Sequence, residues 1–223
     1  MSSILFEVKQ QVAIITLNRP DKFNSFNREM ALAMQARLDE CASVHDIRAV
    51  YITGSGKAFS AGQDLSELIG ENAIGIDQIL PEHYNPIVQK IRNLPKPVVA
   101  AVNGVAAGAG ANIALCCDVV VAAESASFIQ AFSKIGLIPD SGGTFFLPRL
   151  IGFQKASALM MLGDKVSATE AERIGMLYKV LPETDFHAAS FGIAQTLAAM
   201  PTKGLAYTKH VLNGTFDRSI EEQ

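Results

Sequence analysis

The 223-residue chain has no tryptophan, three cysteines, four histidines and no surplus of positive charge. Each shortage closes a class of function. Lys and Arg total 19 against 22 Asp and Glu, so a net charge of −3 leaves no electrostatic footprint for nucleic acid. Cys41, Cys116 and Cys117 cannot build a disulfide framework and fit a reducing compartment. His45, His83, His187 and His210 are scattered, with no second His or Cys at ligand spacing, so no metal site is expected. The opening MSSILFEVKQ lacks a basic segment followed by an apolar core, which reads as no signal peptide and a cytoplasmic default. No low-complexity run, long linker or strict repeat interrupts the chain. With 49% hydrophobic residues it can bury a large core in one sizeable domain.

What is present is concentrated in Val98–Asp118, VVAAVNGVAAGAGANIALCCD. The stretch is uncharged to Cys117 and opens on a strand-like run, Val98–Val102. Asn103-Gly104 breaks the run, Gly108-Ala109-Gly110 follows, and Ala111–Cys117 is compatible with a helix. Its glycines, Asn103 and Asn112 argue against a membrane span. A dinucleotide fingerprint needs a glycine where Ile113 stands. A strand that ends in a glycine turn and feeds a helix leaves backbone N–H groups free to hold an anion or a developing oxyanion. A buried strand–helix unit without chemistry fits this segment equally well.

A second corner of the same kind lies at GSGKAFSAGQDL, after the strand pattern Ala49–Thr53. It is no phosphate loop, because Tyr51 occupies the place of the first glycine. The corner at Ser60-Ala61-Gly62 leads into a helix expected near Asp64. Two such corners can bring two backbone donors together.

The remaining elements follow from pattern. Ile4–Val8 and Val12–Leu17 read as strands around a turn at Gln10-Gln11. Asn27 caps a helix to Ala42 with Met30, Met34, Leu38 and Cys41 on its core face. Ile69 to Pro81 shows no clean period and reads as a mobile or variable insertion. A helix is expected over Tyr84–Asn93, stopped by Pro95 and Pro97. Val119–Ala123 reads as a strand, Ser127–Phe132 as a short extended piece and Gly136–Gly143 as a glycine-rich loop. Helices are expected from Thr144, over Phe153–Leu162, Ala168–Ile174 and Thr184–Ala199, and from Lys203 to the end, with a short strand at Val180-Leu181. The alternation predicts an α/β fold with several parallel strands.

Asp140 is the acid to watch. It stands between Pro139 and a Ser-Gly-Gly turn, in a nearly uncharged segment. Such surroundings can raise a carboxyl pKa and make it a proton-transfer base, whereas composition alone favours a loop-supporting or capping aspartate. Ser60 and Ser141 have no evident His–Asp partners, so a serine triad lacks support. Cys116 and Cys117 fit core packing better than nucleophilic duty.

Four segments in order, NRPDKFNSFN, GKAFSAGQDL, KPVVAAVNGVAAGAGANIALCCD and GLIPDSGGTFFLPRLIG, resemble the enoyl-CoA hydratase/isomerase (crotonase) superfamily. The resemblance runs from Ile4 to the last residue. It implies an α/β spiral of ββα turns over residues 1–200, with residues 201–223 opening a helical trimerisation region. It implies a homotrimer or a hexamer built as a dimer of trimers. The implied substrate is an acyl-CoA thioester, with coenzyme A as part of that substrate and no separate cofactor, nucleic acid or membrane partner. Relatives are implied to run on for roughly thirty to forty residues, a further helix or two. By position, the amides of Ala61 and Ala109 are expected to form the oxyanion hole. Ser60, Ala61, Gln63, Asp64 and Leu65 fall where the family wraps coenzyme A, and Lys22 and Phe23 where it holds the nucleotide end.

The departures from the family pattern narrow the activity. Hydratases of the family use two glutamates, whose places are held here by Asn112 and Phe132. Simple hydration of a 2-enoyl-CoA is therefore disfavoured. Aspartate after Pro139 is similar to dienoyl-CoA isomerases, to 4-chlorobenzoyl-CoA dehalogenases and to the isomerases of ring epoxides in bacterial phenylacetate catabolism. The first pair it with a glutamate at the Phe132 place, and the second rely on a tryptophan, so the epoxyphenylacetyl-CoA type fits best. The expected activity is acyl-CoA isomerisation by one aspartate, Asp140, with Phe132 and Phe145 suited to an apolar acyl group. A hydratase with a non-standard acid and a non-catalytic acyl-CoA-binding subunit remain as alternatives.

Overall fold

The computed structural model describes residues 2–69 and 73–223. A hairpin opens the chain: β1 (Ile4–Lys9) runs antiparallel to β2 (Val12–Leu17) around Gln10 and Gln11, both with positive φ. Helix α1 (Arg28–Ser43) is capped by the Asn27 side chain, which accepts from the Met30 amide, and it buries Met30, Met34, Leu38 and Cys41 as its spacing predicts.

Then the chain spirals. Each turn pairs a long strand with a short one in a different sheet. β3 (Ala49–Gly54) leads to β4 (Ala58–Ser60), β5 (Val98–Val102) to β6 (Val105–Ala107), and β7 (Val119–Ala123) to β8 (Ser127–Ile129). The long strands continue the hairpin in parallel and end on β10 (Lys179–Leu181), in the order β1-β2-β3-β5-β7-β10. The short ones form a second sheet, β4-β6-β8-β9, closed by antiparallel β9 (Lys165–Ser167). β3 and β5 are buried along their whole length, hence their unbroken apolar runs. At the corners the backbones touch: a β-carbon on Gly54 would lie 2.2 Å from the Ala58 carbonyl oxygen, and one on Gly104 2.2 Å from that of Lys57. The α/β ββα spiral is thus present. The two- and three-residue gaps between paired strands leave no room for a helix there, so helices enter only after the second strand of each unit.

Several expectations need correction. The second sheet was not foreseen at β6 or β9, because three-residue strands carry too little pattern. Asp64 starts a single 3₁₀ turn, Leu65–Leu68, rather than a longer helix. Part of the supposed insertion at Ile69–Pro81 is helical: α2 (Ile76–Ile79) passes through a π-helical turn, Leu80–Tyr84, into α3 (Asn85–Asn93). The π register accommodates Pro81, which has no N–H to donate. Residues 70–72 of that stretch lie outside the described residues. Beyond β8 the chain tightens into a 3₁₀ segment, Ala131–Ile135, instead of staying extended to Phe132.

Helix α4 (Ala109–Leu115) starts two residues earlier than expected. The C-terminal region comprises α5 (Gly143–Ile151), α6 (Phe153–Leu162), α7 (Ala168–Arg173), α8 (Phe186–Ala199) and α9 (Thr202–Gly214). Helix α8 lies on the large sheet, where the Ser190 and Tyr51 hydroxyls meet at 2.9 Å. Helix α9 is tied down by Lys209, whose ammonium donates to the Ile91 carbonyl at 2.6 Å. After Gly214 the chain forms turns rather than the helix expected to the end, since glycine there weakens helix propensity and Asn213 pairs with Arg92 at 3.0 Å. No helix among the described residues is long and apolar enough to cross a membrane.

Candidate active site

Two corners of the spiral and the loop before α5 enclose a cavity of about 290 Å³. Its wall is mostly aliphatic, from Leu65, Leu68, Ile76, Ile79, Leu80, Leu137 and Ile138. Among the described residues, the polar side chains of the lining are Gln63, Tyr84 and Asp140, and of these Asp140 alone is acidic in the physiological range.

The corner after β4 is built by long-range bonds. Phe26 forms a parallel bridge with Gln63: its N–H donates to the Gly62 carbonyl at 2.7 Å, and its carbonyl accepts from Asp64 at 2.8 Å. In such a bridge the N–H of Gln63 itself points to the other side, and it has no hydrogen-bond partner among the described residues. The Ala61 amide, by contrast, donates to the Phe23 carbonyl at 2.9 Å. Ala61 lines the cavity, but its N–H is already engaged, so the expected donor moves two residues along, to Gln63. The bridge to Phe26, far away in the chain, decides which of these N–H groups is left free.

At the second corner it is the amide of Ala109 that is left without an acceptor among the described residues. Gly108 adopts φ +52, a conformation reserved for glycine, and its N–H donates to Ile129 at 2.9 Å. Ala109 follows as the first residue of α4. The two corners abut. A β-carbon on Gly62, whose φ is +90, would sit 2.9 Å from the Ala107 carbonyl oxygen and 3.3 Å from the Ala109 nitrogen. Gly110 is pressed as closely on Ser60, with 2.5 Å from its β-carbon position to the Ser60 carbonyl oxygen.

Asp140 borders the same cavity. Burial pushes its carboxyl up to about 6, and a 2.9 Å hydrogen bond from the Ser141 hydroxyl only partly offsets that. Its loop is strained at Ser141, a non-glycine residue at φ +51, while Gly142 takes φ +75 without strain. Tyr84, from the π-helical turn, donates its hydroxyl to Gln63 Oε1 at 2.7 Å. Gln63 Nε2 donates in turn to Glu67 at 3.0 Å, which fixes the carboxamide. Burial and then the nearby Asp140 charge raise the Tyr84 pKa well above the ordinary phenol value. The Phe132 ring stands over the Gly108 turn, 3.7 Å from where a β-carbon there would lie.

Thus Ala61, Gln63, Leu65, Ala109, Phe132 and Asp140 meet at one cavity, as expected from the sequence. Four others do not line it. Ser60 is buried and donates to the Asn24 carbonyl at 2.8 Å. Asp64 caps the 3₁₀ turn and pairs with Arg19 at 2.8 Å; bonds from Ser66 and Arg19 outweigh its burial and hold its carboxyl below the ordinary range. Lys22 and Phe23 form an exposed turn joined to the corner through the Ala61–Phe23 bond. Phe145 also faces away, packed on the Arg149 guanidinium. Sequence reading missed Tyr84 and the apolar wall from Ile76 to Leu80, because Pro81 masks the helical period there.

Comparison with known proteins agrees with this fold. Residues 7–223 match the family model described as enoyl-CoA hydratase/isomerase. The chain is 42% identical to the 1,2-epoxyphenylacetyl-CoA isomerase of Escherichia coli, over 100% of its own length and 86% of that protein. It is 40% identical to a probable enoyl-CoA hydratase of Rhodobacter capsulatus, over 99% of its length and 85% of that protein. A solved Pseudomonas aeruginosa structure superposes with a TM-score of 0.93 at 36% identity, covering 100% of this chain and 95% of the other.

Proposed function

The chain belongs to the enoyl-CoA hydratase/isomerase family, and within it we propose an acyl-CoA isomerase that works with a single carboxylate. The observation that carries this reading is Asp140: among the described residues it is the one acid lining an otherwise uncharged apolar cavity, it is poised at about 6, and two backbone amides without an acceptor border the same space.

The thioester carbonyl accepts from the Gln63 and Ala109 N–H groups. Those donors are fixed before substrate arrives, so they stabilise the enolate oxygen without reorganising. Polarising the carbonyl acidifies the α-carbon enough for a carboxylate to act as base. Asp140 takes the α-proton, the C–H pair becomes the enolate, and the same proton returns at the γ-carbon as the double bond moves. An acid near pH 6 is suited to both halves, since it both accepts and returns a proton readily near neutrality. The aliphatic wall and the Phe132 ring favour an unsaturated or ring-derived acyl group, such as that of epoxyphenylacetyl-CoA. The exposed Lys22–Phe23 turn, tied to the Ala61 corner, is placed to meet the nucleotide end of coenzyme A. Coenzyme A enters as part of the substrate, and no other cofactor is needed. Large exposed apolar side chains on the C-terminal helices, among them Phe153, Met161 and Leu212, support a homotrimer or hexamer.

The test is a set of esters: epoxyphenylacetyl-CoA, 3-enoyl-CoA and crotonyl-CoA, with products followed by mass and ultraviolet absorption. Isomerisation leaves mass unchanged. A product heavier by one water establishes the rival reading, a hydratase with a non-standard acid, which the name of the Rhodobacter relative favours. Binding without turnover of any ester overturns both. The oxyanion hole is tested separately by Gly62→Ala, which forces the corner away from Ala107 and is expected to lower turnover about 100-fold.

A further inference from the structure

Asp140 is held by a chain of buried amides that the proposed mechanism has not used. Its carbonyl oxygen accepts two hydrogen bonds, from the Gly143 N–H at 2.8 Å and from Asn112 Nδ2 at 2.9 Å. Asn112 Oδ1 accepts from Gln130 Nε2 at 2.7 Å. Both side chains are buried, at 1% and 2% exposure. The bonds at its two ends fix the orientation of the Asn112 carboxamide, since only Nδ2 can donate to a carbonyl. Gln130 Oε1 has no partner among the described residues, a cost that packing alone does not require.

The approach is built to be close. A β-carbon on Gly143 would lie 2.3 Å from Asn112 Nδ2, so only glycine lets the amide reach the loop. The loop needs the hold, because Ser141 is a non-glycine residue in the left-handed region. Asn112 also stands three residues after Ala109 on α4, one turn along the same face. One short helix therefore presents the free Ala109 amide and anchors the loop that carries the acid.

Building on the reading of Asp140 as the base, we infer that Asn112, braced by Gln130, is a positioning residue that locks the acid loop into the same frame as the oxyanion donor. It does not touch substrate. It fixes where the Asp140 carboxyl stands relative to the polarised carbonyl, and misplacement of a reacting group by about 1 Å costs about 100-fold in rate.

The experiment follows exchange of the α-protons of phenylacetyl-CoA in D₂O at saturating ester, beside the dissociation constant of the same ester and the thermal midpoint of each variant. Asn112→Asp keeps the shape but removes the donor, and Asn112→Ala removes both links. Each is expected to slow exchange about 10- to 100-fold with ester affinity within about twofold. Gln130→Leu is expected to slow it less, with the same split, and to add nothing further in the Asn112→Ala background. Exchange at the parent rate in the folded Asn112 variants overturns the inference. So does a loss of affinity that parallels the loss of rate, or failure of both Asn112 variants to fold, since either makes the link structural only. Asp140→Asn is measured alongside. If that variant still exchanges, the base assignment fails; if it is dead while the Asn112 variants match the parent, only the positioning role fails.

Discussion

Asp118, just after α4, and Asp140, just before α5, have opposite surroundings. Asp118 accepts from Arg92 at 3.0 Å and from the Val98 N–H at 2.8 Å, and pairs with the Lys209 ammonium at 2.8 Å. That ammonium is buried enough to lie below its ordinary pKa even with Asp118 beside it. Asp140 has no cationic partner among the described residues, and the one side chain among them that hydrogen-bonds its carboxyl is Ser141. The first acid joins α3, β5, β7 and α9. The second is left with a carboxyl raised by burial. A carboxylate with counter-charges builds the fold, and one denied them is left free to react.

The contrast can be broken in four places. Asp140→Asn removes the base and is expected to slow α-proton exchange about 10³-fold, while ester binding persists; Asp118→Asn leaves the rate per folded molecule unchanged. Equal losses in the two variants, measured by exchange in D₂O, would erase the distinction. On stability the order reverses. Asp118→Asn leaves Arg92 and Lys209 without their counter-charge and is expected to cost about 3 kcal/mol by urea denaturation. A cost no larger than that of an ordinary surface change would show that the pair contributes nothing.

The remaining two predictions depend on pH. The base form of Asp140 is needed, so exchange should rise through about pH 6 and level off above it. A rate flat across that range would assign the proton transfer to another group. The thermal effect is the smallest. The folded carboxyl binds its proton more tightly than an ordinary one, so ionisation lowers stability as pH rises through about 6. Asp140→Asn should therefore melt about 2–4 °C higher than the parent above that pH. The gain should vanish below the usual carboxylate range, where both states carry the proton. A melting difference that ignores pH would deny that burial raises this acid.

Legibility followed the range of the forces. Local signals were read correctly: the Asn27 cap, the Met30–Cys41 stripe, the Gln10-Gln11 turn and the paired glycine corners are each set within a few residues. Asp140 stood out because its neighbours carry no charge. The donor at Gln63 could not be read, because what frees its N–H is a bridge to Phe26, 37 positions earlier in the chain. The helix over Ile76–Tyr84 was hidden by Pro81, whose missing N–H is absorbed by a change of helical register. The Gln130–Asn112 link joins three segments, and no spacing rule predicts it.

The glycine at position 143 has a consequence for ancestry. Its bare backbone is in contact with Asn112, with no space for a longer side chain between them. A glutamate at 112 would unseat the loop of the one working acid before any second acid existed at 132, where an aromatic ring fills the place. A first step at 112 toward a two-acid site therefore disturbs the Asp140 loop before a second acid is gained. Changes in the aliphatic wall lining the cavity meet no such obstacle, so that wall is the part most open to variation.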